Sequence, residues 1–195
     1  KIMQAYGAEI LLTPAHRSTD GAIEKSYAMA REFPERYFLT DQFNNEANWK
    51  SHYHGTAEEI WQQSGASITT FVACLGTSGT LMGVSRKFRQ LNPAVQIIGV
   101  EPYLGHKIQG LKNMKEAYCP EIFDKQRLDK KVNIEDEDAY ETARRLAREE
   151  GIFAGMSSGG AASAAIRLAS GLEEGVVVSI VCDRGDRYLS SDLFA

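Results

Sequence analysis

Short runs dominated by apolar residues alternate in this chain with stretches of helical periodicity, and that alternation restricts it to few architectures. TTFVACLG (69–76), QIIGVEP (96–102) and VVVSIVCD (176–183) read as strands buried on both faces. Between them, SGTLMGVSRKFRQL (78–91), a segment over about 136–150 ending at Gly151, and a segment following GMSSGG are predicted helices. The fold class is therefore α/β, a three-layer sandwich with a mainly parallel sheet. EILLTPA (9–15) and YFLTDQF (37–43) predict two further strands, flanking a helix that runs from Asp20 to about Phe33 and stops at Pro34. A helix is expected from Thr56 to Gly65, and residues 103–131 are expected to be loop with short helices. KIMQAYGAE reads as the end of a helix terminated by Gly7, and no Met precedes Lys1, so the chain is expected to be a fragment. Residues 43–50 are the expected hinge.

Charge and cysteine content narrow the function. With 22 Lys+Arg against 26 Asp+Glu the net charge is −4, which excludes a strongly basic nucleic-acid binder. No apolar run approaches the roughly 20 residues that span a bilayer, and the N-terminus lacks a signal-peptide pattern. Cys74, Cys119 and Cys182 form no close pair, so neither a disulfide framework nor a CxxC metal site is expected. A cytoplasmic protein with no nucleic-acid or membrane partner follows as the expectation.

Three segments carry chemistry. In ACLGTSGTLMG (73–83) a strand meets a turn of small residues and a helix start, where free backbone N–H groups and the hydroxyls of Thr77, Ser78 and Thr80 suit a phosphate. An ordinary Gly-rich turn would read the same way; a Walker loop and the GxGxxG fingerprint are both unmet. GMSSGGAA (155–162) repeats these features, although Ser157 or Ser158 serving only as a helix cap is the simpler reading. CDRGDRYLSS (182–191) runs from an apolar strand straight into charge. All three are assigned to strand ends, where open α/β sheets bind ligands. His52 and His54 lack a third ligand at metal spacing and read as surface or helix-entry residues; EDEDAYE (135–141) suits a helix N-terminus. No metal site and no GxSxG hydrolase elbow is expected.

GTSGT, DQFNNEAN, HKIQG, EEGIFAGMSSGGA and CDRGDRYLS, in their order along the molecule, resemble the C-terminal part of cysteine synthases (O-acetylserine sulfhydrylases), pyridoxal-phosphate enzymes of fold type II. CDRGDRY and DQFNN look more like the B type, associated with bulkier sulfur donors such as thiosulfate. The resemblance implies that Gly76, Thr77, Ser78, Gly79 and Thr80 hold the phosphate of pyridoxal 5'-phosphate, with Ser78 replacing the glycine of the commonest form of the turn. It implies that Ser157 hydrogen-bonds the pyridine nitrogen. A neutral hydroxyl there leaves the cofactor a moderated electron sink, which suits loss of a β-substituent better than transamination. Gln42 matches a side chain near the substrate carboxylate, Gly110 lies beside the entrance, and Cys182 matches a B-type cysteine near the cofactor, though a buried strand-end residue is as good a reading. Lys112 stands where O-phosphoserine-using relatives have an arginine; a solvent-exposed loop lysine is the preferred reading.

The implied reaction is β-replacement, converting O-acetylserine plus sulfide or thiosulfate to L-cysteine plus acetate through an aminoacrylate stage. The family's S-[VF]-K-x-R context of the Schiff-base lysine and its TSGNTG loop are absent from this sequence, so no catalytic residue is assigned and the chain alone is expected to be inactive. Residues 1–44 are expected to be the remnant of the smaller mobile domain and residues 45–195 the larger, cofactor-binding one. A homodimer, and association with serine acetyltransferase, are family expectations. The alternatives are an O-phosphoserine sulfhydrylase or cystathionine β-synthase-like enzyme, and a non-catalytic α/β domain that binds a phosphate metabolite.

Overall fold

A computed structural model describes residues 2–116 and 118–195. It divides into two compact units, Lys1–Asp41 and Gln42–Ala195.

In the first unit α1 (Ile2–Ala5) ends before Gly7, whose φ of +82° fits a glycine terminator. A 3-10 turn (Ala15–Arg17) leads into α2 (Ser18–Glu32), on which Ile23 is buried and Glu24 pairs with Arg17 at 2.6 Å. The strands expected at 9–15 and 37–43 do not form: these residues are irregular, and Leu12 and Phe38 are 86% and 88% exposed. A strand needs a neighbour to complete its ladder, and no strand occurs among the described residues of this unit.

The second unit is built on four parallel strands, β1 (Thr70–Cys74), β2 (Gln96–Pro102), β3 (Lys130–Ile134) and β4 (Val177–Ser179), in the order β3-β2-β1-β4. Alternation along the strands sorts the side chains onto two faces. Phe71 and Ala73 of β1, with Ile97 of β2, pack into a core with Leu81, Val84 and Phe88; Val72, Ile98 and Val100 pack into another with Ala139, Ala143 and Ala164. The first core is covered by α3 (Ala47–Ser51), α4 (Ala57–Gln63) and α5 (Gly79–Leu91), the second by α6 (Asp136–Glu150) and α7 (Met156–Ala169). The three-layer sandwich is as expected from the sequence.

Three details differ from expectation. Helical structure begins at Ala47, not Thr56, because α3 continues through a π-helical turn (His52–Thr56) into α4. Asn, His and Gly are weak helix formers, but Gly83 of α5 lets this segment approach closely: a Cβ there would lie 2.6 Å from His52 Cβ. Residues 130–134 form β3, overlapping the end of the loop expected over 103–131 and continuing into residues given no assignment; this is an edge strand whose lysines blunt an exposed edge and hide its apolar alternation. β4 is only three residues long, and beyond it residues 183–185 pair instead with 153–155, through an antiparallel bridge between Ala154 and Arg184.

Candidate cofactor site

A cavity of about 260 Å³ opens beyond the C-terminal end of β1, close to where the strand order reverses between β1 and β4. Its floor is the turn of residues 76–80. Ser78 adopts the left-handed conformation at φ +69° immediately before α5, and its Oγ is buried without a hydrogen-bond partner in the protein. The first N–H groups of α5 have no carbonyl one turn earlier to bond; that of Gly79 makes a long contact with Thr77 Oγ1 at 3.5 Å. A buried orphan hydroxyl at a helix N-terminus fits a bound anion such as a phosphate.

Around the turn, side chains hold the donors in place. Asn48 Nδ2 donates to Thr77 Oγ1 at 3.0 Å and to the Gln42 carbonyl at 2.5 Å. The same amide fills the space at Gly79, where a Cβ would come within 2.5 Å of Asn48 Cγ. Thr80 Oγ1 lies 3.3 Å from His52 Nε2, and His52 Nδ1 lies 2.9 Å from Thr56 Oγ1. Burial lowers the His52 pKa, which keeps the imidazole neutral, with one nitrogen donating and the other accepting. Asn48 and His52 were not recognised in the sequence as part of the site. Asn48 closes the DQFNNEAN motif, which could have pointed to it, and the HxH pattern suggests a metal site rather than a hydrogen bond from His52.

The other segments converge on this turn. Lys112 N–H donates to the Leu75 carbonyl at 2.8 Å, and a Cβ on Gly76 would stand 2.7 Å from the Gly110 carbonyl oxygen, so the HKIQG loop lies against GTSGT. Cys74 Sγ reaches the Ser157 carbonyl at 3.3 Å, and Cys182 N–H donates to Ser158 Oγ at 2.9 Å. GMSSGG therefore arrives by its own route: it follows α6, not a strand, so its assignment to a strand end is corrected. Neither serine is a cap, because Gly155 holds the N-cap position and both serines lie within α7. Gly159 serves helix packing, since a Cβ there would lie 2.8 Å from Ala143 Cβ and closer still to the Ala139 carbonyl.

Gly76, Thr77, Ser78, Gly79, Thr80, Gly110, Ser157 and Cys182 all line the cavity. Gln42 and Lys112 do not. Lys112 is not an exposed loop lysine either: it is 4% exposed and pairs with Glu116 at 2.9 Å, because the loop folds its stem inward and supplies the counter-charge. No described lysine lines the cavity. Asp183 and Tyr188 complete the wall, the Tyr188 hydroxyl donating to Asp183 Oδ2 at 2.6 Å; burial, then this carboxylate, push the Tyr188 pKa up. Cys182 is exposed and lies beyond the end of β4, so it is not the buried strand-end residue; partial desolvation of its thiol nonetheless raises the pKa, which the Ser157 and Ser158 hydroxyls partly offset.

The turn of residues 76–80 and the buried Ser157 of α7 line one cavity, whose orphan hydroxyl fits an anion. The chain belongs to the family described as pyridoxal-phosphate dependent enzyme, whose model matches residues 1–183. It is 49% identical over 192 residues to cysteine synthase B of Pseudomonas aeruginosa, covering 98% of this chain and 64% of that protein. It is 46% identical over 200 residues to cysteine synthase of Aquifex aeolicus, covering 100% and 61%. The structure of an O-acetylserine dependent cystathionine β-synthase from Helicobacter pylori superposes with a TM-score of 0.91 at 36% identity, over 100% of this chain and 65% of that one. The chain thus spans under two thirds of the length of each of these relatives.

Proposed function

We propose that this chain is the cofactor-binding part of a B-type cysteine synthase, which makes L-cysteine by β-replacement on O-acetylserine with sulfide or thiosulfate. The observation that carries the reading is the orphaned Ser78 hydroxyl in a helix N-terminal cradle, together with Ser157 in the same cavity. Similarity to two cysteine synthases at 46–49% identity supports the same reaction.

Pyridoxal phosphate supplies the electron sink that acidifies the α-carbon of an attached amino acid. The protein's part is binding and orientation. Gly76, Thr77, Ser78, Gly79 and Thr80 hold the phosphate through backbone N–H groups and hydroxyls. His52 and Asn48 fix the Thr80 and Thr77 side chains in place. Ser157 meets the ring nitrogen with a neutral hydroxyl that does not hold a proton on it. Gly110 and its loop border the entrance beside the cradle, and Cys182 borders the cavity. Gln42, outside the cavity, and residues 1–44 belong in this reading to the smaller domain and its junction, and the Schiff-base lysine is provided by sequence beyond these 195 residues. The three cysteines are free, which supports a reducing, cytoplasmic setting.

The test is steady-state formation of L-cysteine by the protein that carries this chain, with O-acetylserine or O-phosphoserine and with sulfide or thiosulfate. A strong preference for O-acetylserine is expected; exclusive use of O-phosphoserine would replace the proposed substrate, and inactivity with every pair would reject the reaction.

A further inference from the structure

A second cleft lies away from the cofactor cavity, between α3, the π-helical turn, the C-terminal half of α5 and the 3-10 turn Lys125–Arg127, with a volume of about 510 Å³. Arg86 is two turns along α5 from Gly79, about 10 Å of helix rise. The cleft is lined by Lys50, His54, Arg86, Arg89 and Arg127 together with Trp49, Tyr53 and Gln90, and no carboxylate lines it.

Compensation of these charges is uneven. Lys50 pairs with Glu46 at 2.7 Å, and Arg89 is held by both oxygens of Asp129 at 2.6 and 2.7 Å. Arg86 has no carboxylate within ion-pair distance among the described residues; it lies flat over the Trp49 ring at 4.3 Å and donates to the Met82 carbonyl. Arg127 pairs with Asp124 at 3.4 Å, a contact that leaves its buried Nε without a hydrogen bond. Burial, and then repulsion from Arg127, lower the Arg86 pKa, against a smaller opposing effect of Asp124 and Glu46. Arg86 is thus the cleft's arginine without an ion pair, and with the unbonded Nε of Arg127 on the same cleft it is the charge that gains most from a bound anion. Guanidinium forks match tetrahedral oxyanions, and the volume suits a small molecule rather than a lone water.

We infer that this cleft is a binding site for a multiply charged oxyanion of the phosphate class, bridged by Arg86 and Arg127 and walled by Trp49. Its lining shares no residue with that of the cofactor cavity.

Trp49 gives a local readout. The chain has two tryptophans, and Trp61 is told apart by its contact with Phe88. Sodium pyrophosphate is titrated at constant ionic strength, kept with sodium chloride, while the indole N–H signals are followed by NMR. The Trp49 signal is expected to shift to saturation, and Arg86→Gln and Arg127→Gln are each expected to weaken the apparent affinity about tenfold or more. Neither residue lines the cofactor cavity, so pyridoxal phosphate binding by both variants is expected to match that of the unaltered protein. An unmoved Trp49 signal, an equal shift with chloride alone, or an unchanged midpoint in both variants would overturn the inference.

Discussion

Asn48 Cγ stands only 2.5 Å from where a Cβ on Gly79 would lie. The Asn48 side chain occupies the space a Cβ would need at Gly79 while donating to Thr77 and to the Gln42 carbonyl. Gly79→Ala is expected to destabilise the fold by about 1–3 kcal/mol, the usual range for overpacking. Asn48→Ala is expected to recover part of that loss in the double variant, giving a non-additive cycle in urea denaturation. Additive costs would show that the two do not interact.

Ser78 is held in a conformation that suits glycine. Ser78→Gly is expected to stabilise the protein by about 1 kcal/mol through relief of the left-handed backbone. It is also expected to weaken pyridoxal phosphate binding, since the orphaned hydroxyl is removed. Denaturation midpoints and a cofactor titration on the same variant check both signs, and tighter cofactor binding would remove Ser78 from the cradle.

Gly159 and Gly160, the adjacent glycines of GMSSGG, are expected to respond differently. Gly159→Ala drives a methyl into the Ala139 carbonyl and Ala143, and should cost about 1–3 kcal/mol. Gly160→Ala meets its nearest neighbour at 3.6 Å, an ordinary contact, and should be nearly neutral or slightly stabilising in a helix. Thermal melts of the pair decide this; equal losses would mean that α6–α7 packing is not the reason for Gly159.

Acidification should weaken the fold through His52. Its pKa is lowered by burial, so the folded state binds this proton less readily than the unfolded chain does. The stability this contributes is present above the unfolded value of about 6.5 and is lost as the pH falls through the folded value. His52→Gln keeps a hydrogen-bonding side chain but cannot titrate. Its urea midpoint is therefore expected to fall less between about pH 7 and 5 than that of the unaltered protein. Parallel pH profiles would contradict a buried neutral imidazole.

Much of the second unit was legible in the sequence. β2 has the bounds expected from QIIGVEP, and α6 ends at Gly151, whose φ of +68° needs a residue without a Cβ penalty. The first unit was not: EILLTPA has the composition of a buried strand but stays irregular and exposed, because composition expresses a preference for burial and cannot supply the partner strand. The buried Lys112, the role of Gly159 and the reach of His52 to Thr80 were hidden for a related reason. Each depends on what a distant segment places beside it.

The sequence by itself determined the alternation of strands and helices, the turn that opens α5 and the motifs that belong to the pyridoxal-phosphate enzymes, because periodicity and turn chemistry are local properties of the chain. Only the tertiary structure decided that four separated segments meet at one cavity, which hydroxyl is left without a partner, and that Arg86 and Arg127 share a cleft that no carboxylate lines. Those outcomes rest on contacts between residues far apart in sequence, which burial and charge select only once the sheet has brought the segments together.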